Sequence, residues 1–277
     1  MRRIIVAIVL VSVALAGLPA SAQRAEDEGI KLRRPAFTRY LVSASRLEHA
    51  AGLQYAQIRE LAGRKGSLAP ADDPQAKRVQ RIAQELLQHA GKWNARAKDW
   101  KWEVSLVRSR TVNAACLPGG KIIVFSGLLD GLVLTDDEAA HVIGHEIAHA
   151  LREHARARAA KNKLTNAGAI AIAVLVGGGA GELARQGGGV LALKFSRDDE
   201  READLVGLEL AARAGYDPAA SVTLWEKMSK AAKSAAPSWL STHPSGQERI
   251  ERLRSNLPLV ARLYERARAA KASAAPR

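Results

Sequence analysis

Apolar positions in the first third of the chain recur every three or four residues, the spacing of an amphipathic helix. This spacing predicts one helix over 37–61 and a second after the Gly-, Pro- and Asp-rich loop at 63–74. The apolar face of the second helix is formed by Val79, Ile82, Leu86 and Leu87. Residues 23–36 are polar and charged, so they are predicted to be a flexible lead-in.

The middle of the chain has the patterns of two strands and a long helix. WEVSLV at 102–107 alternates as a strand does, and KIIVFS at 121–126 follows the turn sequence LPGG. Thr135 and Glu138 form a capping box, which predicts a helix from there to about Ala160.

The last third of the chain is predicted to be helical. Ser196, with Asp199 three residues later, caps a helix that ends at Gly215. Further helices are predicted around 221–232 and from Gln247 onward, followed by a flexible tail at 263–277. The fold class is therefore α+β and mainly α-helical, with a small β-sheet before the helix that starts near Thr135. The predicted organisation is one domain, 23–277, with an N-terminal helical part at 23–100 and a core at 101–262.

The N-terminus has the features of a signal peptide. MRR precedes an apolar run of about 15 residues, and Ala20-Ser21-Ala22 matches a signal peptidase site. We therefore predict a signal peptide at 1–22, cleavage after Ala22 and a periplasmic location. Cys116 is the sole cysteine, so an internal disulfide is excluded, and it is predicted to be a buried apolar residue.

The formal charge of +14 is spread along the whole chain, without a basic block interleaved with aromatic residues. This favours a solvated basic surface over nucleic-acid binding. The apolar, glycine-rich segment at 167–181 is too short to span a bilayer. It is predicted to be a packed helix or mobile flap, and peripheral membrane contact is the alternative. The region 177–189 is predicted to gate a cleft.

The sequence HEIAH places His145 and His149 one helical turn apart on the same face. This spacing lets both imidazoles bind one metal ion while Glu146 points at a water molecule there. The ligand types favour one zinc ion per chain, although manganese or cobalt can occupy such a site in vitro. His141 and His154 are expected to face solvent or to support the ligands from outside.

The sequence DDEREAD offers the third protein ligand that a catalytic zinc requires. Glu200 and Asp204 share a helix face, so Glu200 is predicted to bind the metal and Asp204 to accept the spare N–H of a ligating imidazole. Glu202 is the competing ligand, but it points about 160° away from Asp204 around the helix axis.

Together, HEIAH, SRDDEREAD and the later THP with a downstream Arg-Ile resemble the zinc metallopeptidases of family forty-eight. This family includes HtpX, the CAAX prenyl proteases, the mitochondrial Oma-type proteases and periplasmic BepA. The resemblance covers about Asn113 to Arg252. HEIAH alone is common among zinc proteases, whereas its combination with E-x-x-A-D is more specific. The chain is most similar to the soluble, exported BepA- and Oma-like branch, since it lacks the spanning helices of the integral membrane members.

The resemblance implies a gluzincin-type catalytic domain, a zinc-dependent endopeptidase activity and Glu200 as third ligand. Glu146 would then act as the general base and acid. His243 either stabilises an oxyanion or fills the open metal position and keeps the enzyme latent. Arg249 contacts the oxyanion or substrate backbone, or is an ordinary helix-surface arginine. LPGGKIIVFS is expected to supply an exposed edge strand to which a substrate adds, or to be simple sheet structure.

The implied substrates are unfolded or misassembled proteins of the bacterial envelope, in a quality-control role. The alternative is a chaperone-like or envelope-binding protein whose metal site is latent.

Overall fold

The computed structural model describes five stretches of the chain, which are residues 29–35, 37–164, 194–234, 237–244 and 246–274. The predicted signal peptide 1–22, the apolar segment 167–181 and the predicted gate 177–189 lie outside the described residues. The described part is mainly helical with one small sheet, which confirms the predicted fold class. In this part, no helix is both long enough and apolar enough to cross a membrane.

Two long helices, α1 (Ala44–Arg64) and α2 (Pro74–Leu87), form the N-terminal part. The prediction of one helix over 37–61 is wrong, because a 3₁₀ helix at Phe37–Leu41 precedes α1 and Ser43 caps the new start. The apolar face of α2 packs in the core as predicted, with its fully buried side chains at Val79, Ile82 and Leu86. Further 3₁₀ helices follow at Ala90–Lys92 and Ala95–Asp99.

The sheet contains β1 (Glu103–Val107), β2 (Ala114–Leu117) and β3 (Lys121–Phe125), in the order β1-β3-β2. β1 is parallel to β3, and β2 is antiparallel to it. The prediction that KIIVFS forms an edge strand is therefore wrong, since β3 is central and β2 is an edge. The turn at Gly119 and Gly120, with φ of 81° and 82°, folds β2 back onto one side of β3.

A short helix α3 (Ser126–Gly131) leads to α4 (Asp136–Leu151), whose predicted capping box is present. The predicted continuation to Ala160 is wrong, because a separate helix α5 (His154–Leu164) follows. The chain turns at Glu153, whose φ of 55° is in the left-handed region that interrupts an α-helix.

Four helices complete the described chain, namely α6 (Arg197–Arg213), α7 (Ala220–Ser234), α8 (Ser238–Thr242) and α9 (Gln247–Ala274). The capping box at Ser196 is present as predicted, and α6 ends at Arg213, two residues before the predicted stop at Gly215, where φ is 79°. The prediction of a flexible tail at 263–277 is wrong up to Ala274, because Leu263 is buried and Lys271 donates to Glu85 at 2.6 Å.

The predicted flexible lead-in is also wrong for its described residues. Ile30 is buried, and its backbone N–H donates to the Glu209 carboxylate at 2.6 Å. Glu209 is itself fully buried and forms ion pairs with Lys92 and Arg213. Polar composition alone did not reveal this, because the partner carboxylate lies about 180 residues later in the chain.

Helices α4 and α6 approach each other closely at Gly144 and Gly207. A Cβ atom added to Gly207 would lie 2.8 Å from the backbone nitrogen of His145, too close for any side chain. Glycine at this crossing therefore allows the two backbones to touch. As a result, the acidic face of α6 lies directly against the histidines of α4.

We expect Gly207→Ala to lower the free energy of unfolding by about 1–3 kcal/mol, because the methyl group forces the two helices apart. Gly52→Ala in α1 is the matched control, since nothing lies within 4 Å of its added Cβ. That control should be neutral or stabilising by up to about 1 kcal/mol through helix propensity. Urea denaturation checks both values, and equal stability of the two variants would contradict the close packing.

Candidate metal centre and active site

Four side chains from three parts of the fold converge at one point. His145 and His149 project from α4, Glu200 from α6, and His243 from the end of α8. One ligand atom from each lies within 4.8 Å of the others, and all four residues are buried. The structure thus brings together the three ligands predicted from sequence and adds His243 to them.

The distances within this cluster suit a tetrahedral metal site. The Nε2 atoms of His145 and His149 are 3.1 Å apart, and His243 Nδ1 is 3.2 Å from His145 Nε2. Glu200 oxygens lie 3.4 Å from both Nε2 atoms. Ligand atoms bound at about 2.0–2.1 Å around tetrahedral zinc are separated by roughly 3.3 Å. Imidazole and carboxylate donors also suit zinc, so these residues fit a bound cation of that kind.

The opposite ring nitrogens of the α4 histidines have buried partners. His145 Nδ1 donates to Asp204 Oδ1 at 3.1 Å, which is the contact predicted for Asp204. His149 Nδ1 lies 2.9 Å from Nδ1 of His154. Such contacts direct Nε2 of each ring toward the centre of the cluster.

Arg249 lies beside the cluster and is buried, so the prediction of an ordinary surface arginine is wrong. Its guanidinium donates to Asp204 at 2.6 Å and pairs with Glu200 at 3.0 Å. The same group stacks over the Trp225 ring, 3.6 Å from the ring centroid. Arg249 therefore neutralises and orients two buried carboxylates.

Burial and hydrogen bonding set the protonation states in the cluster. Burial lowers the pKa of His149 well below its usual value, so this ring is neutral at neutral pH. Burial raises the pKa of Glu200, but hydrogen bonds from His145, His149 and His243 outweigh it and hold this pKa far below its usual range. For His145, burial lowers the pKa, but hydrogen bonds to Asp204 and Glu200 raise it to about 9. Metal binding must displace the proton on His145, so metal affinity falls as the pH falls.

Glu146 is buried next to the cluster, and its carboxylate is held by a tryptophan. The indole N–H of Trp239 donates to Glu146 Oε1 at 2.7 Å, and His243 Nε2 lies 3.5 Å from the same oxygen. Trp239 stacks on Trp225 with ring centroids 5.1 Å apart. A carboxylate fixed in this way, beside a metal site, has the position that a general base requires.

Sequence reasoning missed the aromatic side chains around the site. No sequence motif includes Trp225, Trp239 or Phe195, although WLSTHP places Trp239 four residues before His243. Phe195 stacks on His149 with ring centroids 4.0 Å apart. These contacts join distant parts of the chain, so no local pattern predicts them.

The remaining predicted residues lie outside the cluster. Glu202, the competing ligand, pairs with Arg152 at 2.9 Å. His141 is buried and contacts the Asp217 carbonyl at 2.8 Å, so it does not face solvent. Cys116 is a buried free thiol as predicted, and burial raises its pKa well above the usual value.

A cleft opens beside Glu146 and His149. The edge strand β2 forms one wall, and the other walls come from α1, α4 and α5. Small and apolar side chains predominate among its lining residues, which include Ala44, Leu47, Ala114, Ala115, Ala150 and Ala155. The cleft therefore borders both the edge strand β2 and two members of the cluster, His149 and His243.

Comparison with known proteins agrees with this geometry. The model of Peptidase family M48 matches residues 73–257, which include α4, α6 and the His243 segment. The chain belongs to peptidase family M48. This confirms the resemblance stated from the motifs, including its similarity to Oma-type and BepA-like members.

Three relatives show how this M48 chain compares with whole proteins. It is 44% identical to the mitochondrial metalloendopeptidase OMA1 of Arabidopsis thaliana over 153 residues, which are 55% of this chain and 31% of that protein. It is 29% identical to metalloprotease LoiP of Escherichia coli over 260 residues, covering 90% and 95% of the two chains. It is 32% identical to the beta-barrel assembly-enhancing protease of Escherichia coli O157:H7 over 166 residues, which are 52% of this chain and 32% of that protein. The chain spans 31% of the length of the Arabidopsis thaliana OMA1 and 60% of the length of the Saccharomyces cerevisiae OMA1, less than two thirds of either.

We expect Glu200→Gln to weaken divalent metal binding by at least about 100-fold, because the variant removes an ionised ligand. Competition with a chelating indicator measures this affinity. Glu248→Gln is the control, since this exposed carboxylate pairs with Arg201 and Arg252 outside the cluster. Tight metal binding by Glu200→Gln would contradict the assignment of Glu200 as a ligand.

Proposed function

We propose that this M48 chain is a zinc-dependent endopeptidase. The observation that carries the proposal is the convergence of His145, His149 and Glu200 beside the buried carboxylate of Glu146. The donor set supports zinc, and the family match supports peptide hydrolysis. The catalytic roles of these residues are part of the proposal.

Glu146 is the residue that moves protons in this mechanism. When bound, zinc polarises a carbonyl group and lowers the pKa of water. Glu146 takes a proton from the attacking water and delivers it to the amine of the leaving peptide. Trp239 holds one carboxylate oxygen of Glu146, which leaves the other oxygen to accept the proton. Arg249 keeps Glu200 and Asp204 oriented, and its contact with substrate or oxyanion stays a prediction.

The substrate binds as an extended chain in the cleft along β2. An edge strand offers backbone groups to which a peptide can add as another strand. The small lining residues leave room for side chains of the bound segment. Because such binding needs an unfolded stretch of polypeptide, unfolded or misassembled proteins are the proposed substrates.

The proposed setting is the bacterial envelope, with the chain in the periplasm after cleavage behind Ala22. The signal-like start of the sequence supports export. The name of one relative refers to the assembly of β-barrels, which supports a role in envelope quality control. Peripheral membrane contact is part of this proposal, whereas the dispersed positive charge gives no support for nucleic-acid binding.

A second candidate is a protein with a latent metal site and a chaperone-like or envelope-binding role. The position of His243 favours it, because a fourth protein ligand closes a zinc site that catalysis needs open. In the first candidate His243 is a removable ligand, and in the second it is permanent. The two candidates differ in whether the purified protein cleaves an unfolded substrate.

We expect Glu146→Gln to reduce casein cleavage by about 10²- to 10⁴-fold, because the amide cannot accept the proton of the attacking water. Zinc content should be unchanged, since Glu146 is outside the ligand cluster. Glu48→Gln is a control in the same cleft, where Arg96 and Trp100 hold the carboxylate. This control should keep most of the activity. Unchanged cleavage by Glu146→Gln would remove that residue from its role.

We expect His243→Ala to raise casein cleavage by about threefold or more, because it removes a side chain that competes for the open metal position. Ser241→Ala, at an exposed position on the same segment, should have no such effect. A fall of about 10²- to 10³-fold would instead show that His243 stabilises an oxyanion. Initial rates at equal zinc occupancy separate the two results.

A further inference from the structure

The break between α4 and α5 brings His154 back against His149. In an unbroken α-helix, residues five apart are rotated by about 140°, so their rings point in different directions. Here the turn at Glu153, with φ of 55°, redirects the chain. The two imidazoles meet with ring centroids 5.0 Å apart. This backbone conformation is unusual for a glutamate, and Arg39 and Arg156 hold its side chain at 3.1 and 2.9 Å.

His154 is the first residue in a series of buried polar contacts that leads away from the metal cluster. Its Nδ1 is 2.9 Å from His149 Nδ1, and its Nε2 is 3.4 Å from Glu202 Oε2. Arg152 donates to the same Glu202 oxygen at 2.9 Å and to the backbone carbonyl of Arg33 at 2.6 Å. The N-terminal segment around Arg33 therefore supports the outer end of this series of contacts.

One arrangement of protons satisfies every contact. His149 presents Nε2 to the cluster, so the ring proton of its neutral form lies on Nδ1. That N–H donates to Nδ1 of His154, whose own proton then lies on Nε2 and is donated to Glu202. Arg152 supplies the positive charge that keeps Glu202 ionised. Each donor in this series thus has an acceptor.

We propose that His154 is a positioning residue for the metal ligand His149, acting through the series His149–His154–Glu202. It fixes the tautomer and ring orientation of His149, as Asp204 does for His145. The two α4 ligands are thus supported differently, one directly by a carboxylate and one by an imidazole that relays to a carboxylate. This inference rests on the proposed metal site and assigns a function to the helix break.

The test compares zinc affinities of the full chain, measured by competition with a chelating indicator. His154→Leu removes both contacts and should weaken zinc binding about 10- to 100-fold. His154→Asn should recover most of that affinity, because its δ oxygen can accept the His149 N–H. His141→Leu is the matched control, since His141 is also buried but its Nε2 contacts the backbone carbonyl of Asp217, which is outside the ligand cluster. It should leave zinc affinity unchanged even if it lowers stability.

Wild-type affinity in His154→Leu, or an equal loss in His141→Leu, would overturn the positioning role. If His154→Leu does not fold, Glu202→Gln is tested, because that side chain is 27% exposed and its loss is better tolerated. Glu202→Gln should weaken zinc binding by about tenfold, and wild-type affinity would overturn the role. If the wild-type chain binds no zinc, both the proposed function and this inference are wrong. If the wild-type chain binds zinc and the variants bind it equally well, only this inference is wrong.

Discussion

The contact between the backbones of α4 and α6 at Gly144 and Gly207 is the constraint on which the site depends. A Cβ on Gly207 would lie 2.8 Å from the backbone nitrogen of His145, so the crossing distance is set by the absence of side chains. Only at this distance can a carboxylate from α6 reach two imidazoles of α4. Because the ligand side chains are buried on two helices in backbone contact, they lie close together without a bound metal ion.

Paired charges make such a buried site tolerable in a chain with a formal charge of +14. Isolated charges are costly to bury, so each carboxylate near the cluster has a cationic or N–H partner. Arg249 forms ion pairs with Glu200 and Asp204, and Arg152 forms one with Glu202. The indole N–H of Trp239 donates a hydrogen bond to Glu146. The last of these contacts comes from α8, the helix that also leads into His243. One short segment therefore touches both the Glu146 carboxylate and the His145–His149–Glu200 cluster.

Most of the correct predictions from the sequence came from the spacing of residues close together in the chain. The capping boxes and the apolar face of α2 follow from residues a few positions apart, and the grouping of His145, His149 and Glu200 follows from such spacing combined with a family pattern. The sheet order, the packing of Ile30 on Glu209 and the aromatic contacts of Trp239 and Phe195 join distant segments, so no local pattern contained them. The α4–α5 break was missed for a different reason. A glutamate rarely has positive φ, and distant Arg39 helps to hold it there.

Zinc K-edge X-ray absorption on the zinc-loaded full chain tests the central claim most directly. The account predicts a first shell of nitrogen and oxygen only, at about 2.0–2.1 Å, with the multiple scattering of at least two imidazole rings. The same spectrum for a His145→Ala, His149→Ala double variant should retain the scattering of at most one imidazole ring, that of His243. A wild-type first shell that contains sulfur, or one of oxygen alone without imidazole scattering, would contradict convergence of these side chains on one cation.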